Sequence, residues 1–183
     1  MSKLKPAVSD QDHVRGDLHA PVILVEYGDF QCPHCGAAYP IVKKIEKDYK
    51  DKMAFVFRHF PLAEIHPFAQ AAAVASEAAA NQGKFWQMHA LIFENQQLLG
   101  IEMLLQLAES LKLDMKRFGH DFKDPKMFKK VEDQFESGIL SGVNGTPSFY
   151  INGAKYNDSY DYDSLTRAID QAISENRVSK AKA

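Results

Sequence analysis

The pattern of apolar and polar positions predicts strands in two groups along the chain. Val22–Val25 is a short β-branched apolar run, which is typical of a strand buried on both faces. Met53–Phe57 and Ser148–Ile151 are short, mainly apolar segments that predict two further strands. Asn152-Gly153 comes next, and this dipeptide predicts a hairpin whose second strand is Ala154–Tyr156. Two predicted strands thus lie before residue 58 and two after residue 147.

Apolar residues recur at helical spacing in the remaining parts of the chain. A helix is predicted from Cys32-Pro33 to about Tyr49, since proline suits the first helical position. Several helices are predicted within 61–142, and a last one at Asp163–Asn176 with a frayed tail at Arg177–Ala183. The order β-α-β, helices, β-β-α predicts an α/β fold in which a helical insertion separates two halves of a small sheet.

Composition and charge exclude several classes of protein. The chain has 183 residues, which suits one domain, or one domain with an insertion. Lys plus Arg is 22 and Asp plus Glu is 24, and this balance disfavours a nucleic-acid-binding domain. Apolar runs are too short to cross a bilayer, so membrane insertion is not expected. The polar segment Met1–Asp12 has no apolar signal region, which predicts a cytoplasmic protein, or a periplasmic or extracellular one if a signal was removed.

Both cysteines of the chain lie in one tetrapeptide, Cys32-Pro33-His34-Cys35, at a strand-to-helix junction. Spaced three apart on the first turn of a helix, the two sulfurs can approach closely enough to bond. The partial positive charge of the helix N-terminus, with His34 beside it, favours thiolate over thiol. We therefore expect Cys32 to be an exposed thiolate nucleophile and Cys35 to be the less exposed resolving thiol.

Two other interpretations of the cysteines remain open. Both could be inert buried thiols, or they could bind zinc with two histidines. The other histidines show no paired ligand spacing: His13, His19, His59, His66, His89 and His120. A C-x-x-C motif at a βα junction favours redox chemistry over both alternatives.

Two further positions carry candidate chemistry. Glu26 continues the apolar run that ends at Val25, so it is either a buried acid that relays a proton to Cys35 or a solvent-facing strand end. Pro147 stands at the entrance to a strand. A cis bond there would present the backbone of Thr146 to a bound partner, whereas a trans bond would simply begin an edge strand.

These motifs together resemble the DsbA-like branch of the thioredoxin superfamily. Glu26–Cys35 reads Glu-Tyr-Gly-Asp-Phe-Gln-Cys-Pro-His-Cys and Gly145–Phe149 reads Gly-Thr-Pro-Ser-Phe, with the helical block between them. The resemblance covers roughly residues 22–176. Arg58–Leu62, His66-Pro67 and Gln82–Trp86 further resemble a bacterial subgroup, in which these residues are structural.

The resemblance implies a thioredoxin-like domain at 1–60 and 143–183, interrupted by a helical domain at 61–142. It implies that Cys32 is the nucleophile, Cys35 the resolving cysteine and His34 the tuning residue, and that Pro147 is cis. Pro33 completes the redox motif, Glu26 matches the buried acid of the family, and Thr146 would align a partner chain.

The predicted function is thiol–disulfide exchange, without a metal or an organic cofactor. Its partners would be thiol- or disulfide-containing proteins, with a redox partner protein or glutathione. Two alternatives remain, a glutathione-dependent transferase or isomerase of the same fold and a non-catalytic thioredoxin-like binding module. Familiar DsbA-like proteins act outside the cytoplasm, so the direction of electron flow stays open for this chain.

Overall fold

The structure, a computed structural model, describes residues 2–181. Its strands form one sheet in the order β1-β3-β2-β4-β5, in which β1 pairs antiparallel with β3, and β4 pairs antiparallel with both β2 and β5. The strands are β1 (His13–Arg15), β2 (Val22–Gly28), β3 (Met53–His59), β4 (Ser148–Ile151) and β5 (Ala154–Lys155).

Helices make up most of the remaining described chain. They are α1 (Pro33–Asp48), α2 (Ala69–Ala80), α3 (Phe85–Glu94), α4 (Ile101–Ser110), α5 (Met115–Asp121), α6 (Pro125–Ser141) and α7 (Tyr162–Ala181), with a 3₁₀ turn at Gln96–Leu98. Within residues 2–181, no helix combines the length and the apolar character needed to cross a membrane.

The chain forms two compact units. The first contains residues 2–27, 37–58 and 137–181, which include the paired residues of the sheet. The second contains residues 28–36 and 59–136, which include helices α2 to α5. The two units reflect how the chain packs. The domain limits that the resemblance implies, 1–60 with 143–183 and 61–142, stay a prediction.

In the first unit, β2 and β3 supply the core because almost every side chain on them is apolar. Leu24, Val25, Ala54, Val56 and Phe57 are completely buried. Strands buried on both faces read as continuous apolar runs, as the sequence of both strands does.

A buried cluster around Arg58 ties the N-terminal segment to this core. The guanidinium donates to both carboxylate oxygens of Asp12, at 2.7 and 3.0 Å, to the Tyr27 hydroxyl at 3.0 Å, and to the carbonyl of Pro6. Burial alone would lower the pKa of Arg58, but the hydrogen bonds with Asp12 and Tyr27 outweigh it and raise that pKa. Arg58 therefore stays charged in the core.

In the second unit, an alanine-rich helix allows close helix packing. The small side chains of α2 let α3 and α4 pack against it, and six of its alanines are less than 3% exposed: Ala69, Ala72, Ala73, Ala75, Ala78 and Ala79. The Phe30 ring packs on Phe93 and His89, with centroid separations of 5.0 and 5.5 Å. Glu77 is buried here and accepts from Lys130 at 2.6 Å.

The predicted α/β fold is confirmed, with differences at the element ends. The Asn152-Gly153 hairpin is present, and both residues have the positive φ of a type I′ turn. β1 was not predicted, because its three residues, His-Val-Arg, are too few to show the alternation of apolar and polar positions that indicates a strand. The frayed tail is wrong for 177–181, where α7 continues because no Gly or Pro interrupts it. Residues 182 and 183 lie outside the described part.

Candidate redox site

The two cysteines lie in a tight segment, Asp29–Gly36, which we call the redox turn. It belongs to the second unit and leads from the end of β2 into the first residues of α1. Cys32 immediately precedes the helix and Pro33 is its first residue, where the missing N–H of proline costs nothing. Cys35 follows on the first helical turn, so the predicted placement of both cysteines at the helix start is confirmed.

The exposure of the motif differs in part from the prediction. Pro33 and His34 are exposed, whereas Cys32 is only 4% exposed and Cys35 is fully buried. Cys35 is thus the more buried thiol, as predicted, but the prediction of an exposed Cys32 is wrong. One reason is that the side chain of Gln96 lies against the backbone at Cys32.

Asp29 makes hydrogen bonds to both cysteines. Its backbone N–H donates to Cys35 Sγ at 3.4 Å. Its side-chain Oδ1 and its backbone carbonyl both accept from the Cys32 N–H, at 3.2 and 3.1 Å. Oδ1 also accepts from the Gln31 N–H at 2.7 Å, which is the geometry of an Asx turn. One residue therefore sets the path of the chain into both cysteines.

The second carboxylate oxygen of Asp29 binds the segment that follows β3. Oδ2 accepts from the Leu62 N–H at 2.8 Å and lies 2.7 Å from His66 Nδ1. The Asp29 side chain is completely buried, while that of His66 is 16% exposed. Burial of a carboxylate is tolerated when hydrogen-bond donors surround it, and Asp29 has such donors on both oxygens.

Two glutamines hold the redox turn from other parts of the second unit. Gln96, in the 3₁₀ turn, donates through Nε2 to the carbonyls of Phe30 and Cys32, both at 2.9 Å. Gln31 Oε1 accepts from the Phe68 N–H at 2.7 Å, just before α2. A Cβ on Gly36 would come within 2.2 Å of Gln96 Oε1, so glycine allows this close approach.

The other predicted site residues belong to the first unit. Glu26 lies on β2 opposite Phe149 and is 3% exposed, which confirms a buried acid and contradicts a solvent-facing strand end. The Thr146–Pro147 bond is cis, as the resemblance implies, and both residues are half-buried. The next residue, Ser148, pairs with Tyr27 on β2. The roles of Glu26, Thr146 and Pro147 in exchange stay predictions.

The zinc interpretation of the cysteines finds no support in the ligand geometry. Across residues 2–181, neither Cys32 nor Cys35 belongs to a cluster of three or more possible metal ligands. A protein zinc site of the structural kind needs four ligands around one point.

The sequence analysis missed four residues that shape the redox turn: Asp29, Gln31, His66 and Gln96. Asp29 carried a usable signal, since an aspartate shortly before a helix that begins with proline is a typical turn or capping residue. The others carried none, because their contacts join segments 37 or more residues apart.

A family model described as Thioredoxin matches residues 8–171, which is most of the chain. The chain belongs to the thioredoxin family. The solved structures similar to this thioredoxin-family chain include α-DsbA1 of Wolbachia pipientis, with a TM-score of 0.84 and 24% identity over 95% of this chain and 96% of that one. Oxidised BdbD of Bacillus subtilis gives a TM-score of 0.80 and 26% identity, over 95% and 100% of the two chains. The predicted DsbA-like family and thioredoxin-like fold are thereby confirmed.

Sequence relatives of this thioredoxin-family chain include a much longer protein. The protein of Salinispora arenicola named Na(+)/H(+) antiporter NhaA 1 is 42% identical over 173 residues, which are 94% of this chain and 26% of that protein. The chain therefore spans about a quarter of the length of the curated relatives it matches. The antiporter name describes the whole relative, and the similarity is confined to that quarter.

Proposed function

We propose that the chain exchanges disulfides with protein or small-thiol substrates through Cys32 and Cys35. The observation that carries this proposal is the pair of cysteines at the first turn of α1, both bonded to Asp29. The helix N-terminus lies at the sulfurs and favours their anionic form. Membership of the thioredoxin family and the DsbA-like fold support the same chemistry.

The reaction is a two-step transfer of two electrons. The Cys32 thiolate attacks one sulfur of a substrate disulfide, forms a mixed disulfide and releases the other sulfur as a thiolate, which takes up a proton. The Cys35 thiolate then attacks Cys32, which forms the Cys32–Cys35 disulfide and releases the reduced substrate. The reverse sequence oxidises a substrate dithiol and reduces the protein.

The remaining predicted residues have supporting roles in this proposal. His34 is exposed beside the nucleophile, where its ring can stabilise a negative sulfur. Buried Glu26 would relay the proton of Cys35. Thr146 would bind an extended substrate segment through its backbone, next to Pro147.

The partners and the compartment belong to the same proposal. We expect proteins with accessible thiols or disulfides as substrates, and a redox partner protein or glutathione to reset the cysteine pair. The predicted cytoplasmic location would favour net reduction or isomerisation, and an oxidising compartment would favour net oxidation. The equilibrium between the cysteine pair and a glutathione buffer distinguishes these directions.

The proposal is tested with two cysteine variants. Cys32→Ser removes the nucleophile, so the catalysed reduction of insulin and the oxidation of a dithiol peptide should both fall to the uncatalysed rate. Cys35→Ser keeps the nucleophile and removes the resolving thiol. It should therefore accumulate a mixed disulfide with the peptide, detected by intact mass.

Three results would contradict the proposal. Full insulin reduction by Cys32→Ser would show that the first cysteine is not the nucleophile. Conjugation of glutathione to an electrophile by the wild type would favour the transferase alternative. A wild type without exchange activity would favour the binding module.

A further inference from the structure

Asp29 stands out among the buried acidic residues because it bonds the reactive pair itself. Its main-chain N–H donates to Cys35 Sγ, and its side-chain Oδ1 accepts from the Cys32 N–H. Three of the four described contacts of its carboxylate come from backbone donors, the N–H groups of Gln31, Cys32 and Leu62, and the fourth is with Nδ1 of His66. An ionised carboxylate has only acceptors, so this set of partners fits a negative charge.

A negative charge at this position works against the features that activate the nucleophile. The helix N-terminus and His34 favour a Cys32 thiolate, whereas a buried carboxylate bonded to the Cys32 N–H repels it. The same carboxylate also occupies an N–H that lies at the start of α1. Two effects therefore set the pKa of Cys32: the helix N-terminus and His34 lower it, and Asp29 raises it.

His66 sets how strongly the negative charge of Asp29 acts on Cys32. Because the carboxylate can only accept, Nδ1 of His66 must carry the proton in their 2.7 Å hydrogen bond. A donor at this distance draws charge toward Oδ2 and orients the carboxylate on the redox turn. Loss of the ring would leave the charge less compensated.

We propose that Asp29, oriented by His66, is a positioning residue for disulfide exchange, which holds both cysteines and restrains the acidity of the Cys32 thiol. This inference rests on the proposed function. The helix N-terminus and His34 by themselves would make the cysteine pair a stronger oxidant, and Asp29 opposes that effect. Asp29 would hold the pair at an intermediate oxidising strength.

The test compares two variants that should shift the pKa of Cys32 in opposite directions. Asp29→Asn keeps an acceptor oxygen and removes the charge, so the pKa of Cys32 should fall by about one unit. The equilibrium with glutathione should move about tenfold toward reduced protein, which is about 30 mV more oxidising. His66→Leu removes the hydrogen-bond donor to Asp29 without adding another, so the pKa of Cys32 should rise by a smaller amount.

The measurements are the thiolate absorbance at 240 nm against pH and the redox equilibrium with glutathione. His120→Leu is the matched control, because His120 pairs with Asp121 on α5 at 3.2 Å and neither has a described bond to the redox turn. The control should give wild-type values in both measurements.

Opposite shifts of the Cys32 pKa in the two variants support the inference. Shifts in the same direction, or a wild-type pKa in either variant, overturn it, since a purely structural role predicts no opposition of sign. If Asp29→Asn does not fold, the rise expected in His66→Leu decides the matter alone, because the His66 side chain is partly exposed. A wild type without exchange activity would defeat the proposed function instead.

Discussion

Two aspartates with buried side chains, Asp12 in the first unit and Asp29 in the second, satisfy their charges in different ways. Asp12 has a cation as its main partner, since both oxygens accept from the Arg58 guanidinium. Asp29 has no guanidinium or ammonium among its described partners and relies on backbone N–H groups and one imidazole. A carboxylate neutralised by a full cation is suited to holding a core together. One held by amides keeps more of its field, which suits it to act on a neighbouring reactive group.

Removal of the Asp12 carboxylate is expected to have the largest effect on stability. Asp12→Ala leaves the guanidinium of Arg58 buried without its anion, and we expect the free energy of unfolding to fall by about 3 kcal/mol in urea denaturation. The Cys32 thiolate titration of the folded variant should match the wild type.

Asp10→Ala is the control for this experiment, since Asp10 lies on the same segment but is exposed. Its effect should stay within about 0.5 kcal/mol. If Asp12→Ala shifts the Cys32 titration, the division between a stabilising and a tuning aspartate is wrong.

The packing of Gln96 against Gly36 gives a smaller effect whose sign is diagnostic. Gly36→Ala in the wild type should cost about 1 kcal/mol, because the new methyl group displaces Gln96 from the carbonyls of Phe30 and Cys32. In a Gln96→Ala background the same change should instead stabilise α1 by about 0.5–1 kcal/mol, the ordinary preference for alanine over glycine in a helix.

This double-mutant cycle is measured by urea unfolding of the four proteins. A cost of equal size in both backgrounds would show that Gln96 does not restrain the redox turn.

A further effect concerns alkaline pH and belongs to the first unit. Burial raises the pKa of Tyr150 to about 12, with a further contribution from Tyr27, and its hydroxyl donates to the Ser141 carbonyl. The unfolded state loses this proton near 10.0, the ordinary pKa of tyrosine, so the stabilisation is present below that pH and is lost as pH rises toward 12. Tyr150→Phe should flatten this part of the dependence of unfolding free energy on pH. An unchanged slope between pH 10 and pH 12 would contradict it.

The sequence predicted those parts of the fold whose signals are local. β4 and its Asn152-Gly153 hairpin match within a residue, because turn chemistry and short apolar segments act over a few positions. The start of α1 at Pro33 was predictable for the same reason. The surroundings of the cysteines were not, since the Asp29 partners Leu62 and His66 lie 33 and 37 positions further along the chain.

The outer strands of the sheet bear on how other chains meet this protein. β5 has two residues, and the N-terminal segment covers its backbone: Lys3 bridges Ala154, Leu4 donates to the Gly153 carbonyl and Lys155 donates to that of Ser2. β1, at the opposite border, is three residues long. Short or covered borders offer little template for indiscriminate strand pairing, which drives aggregation.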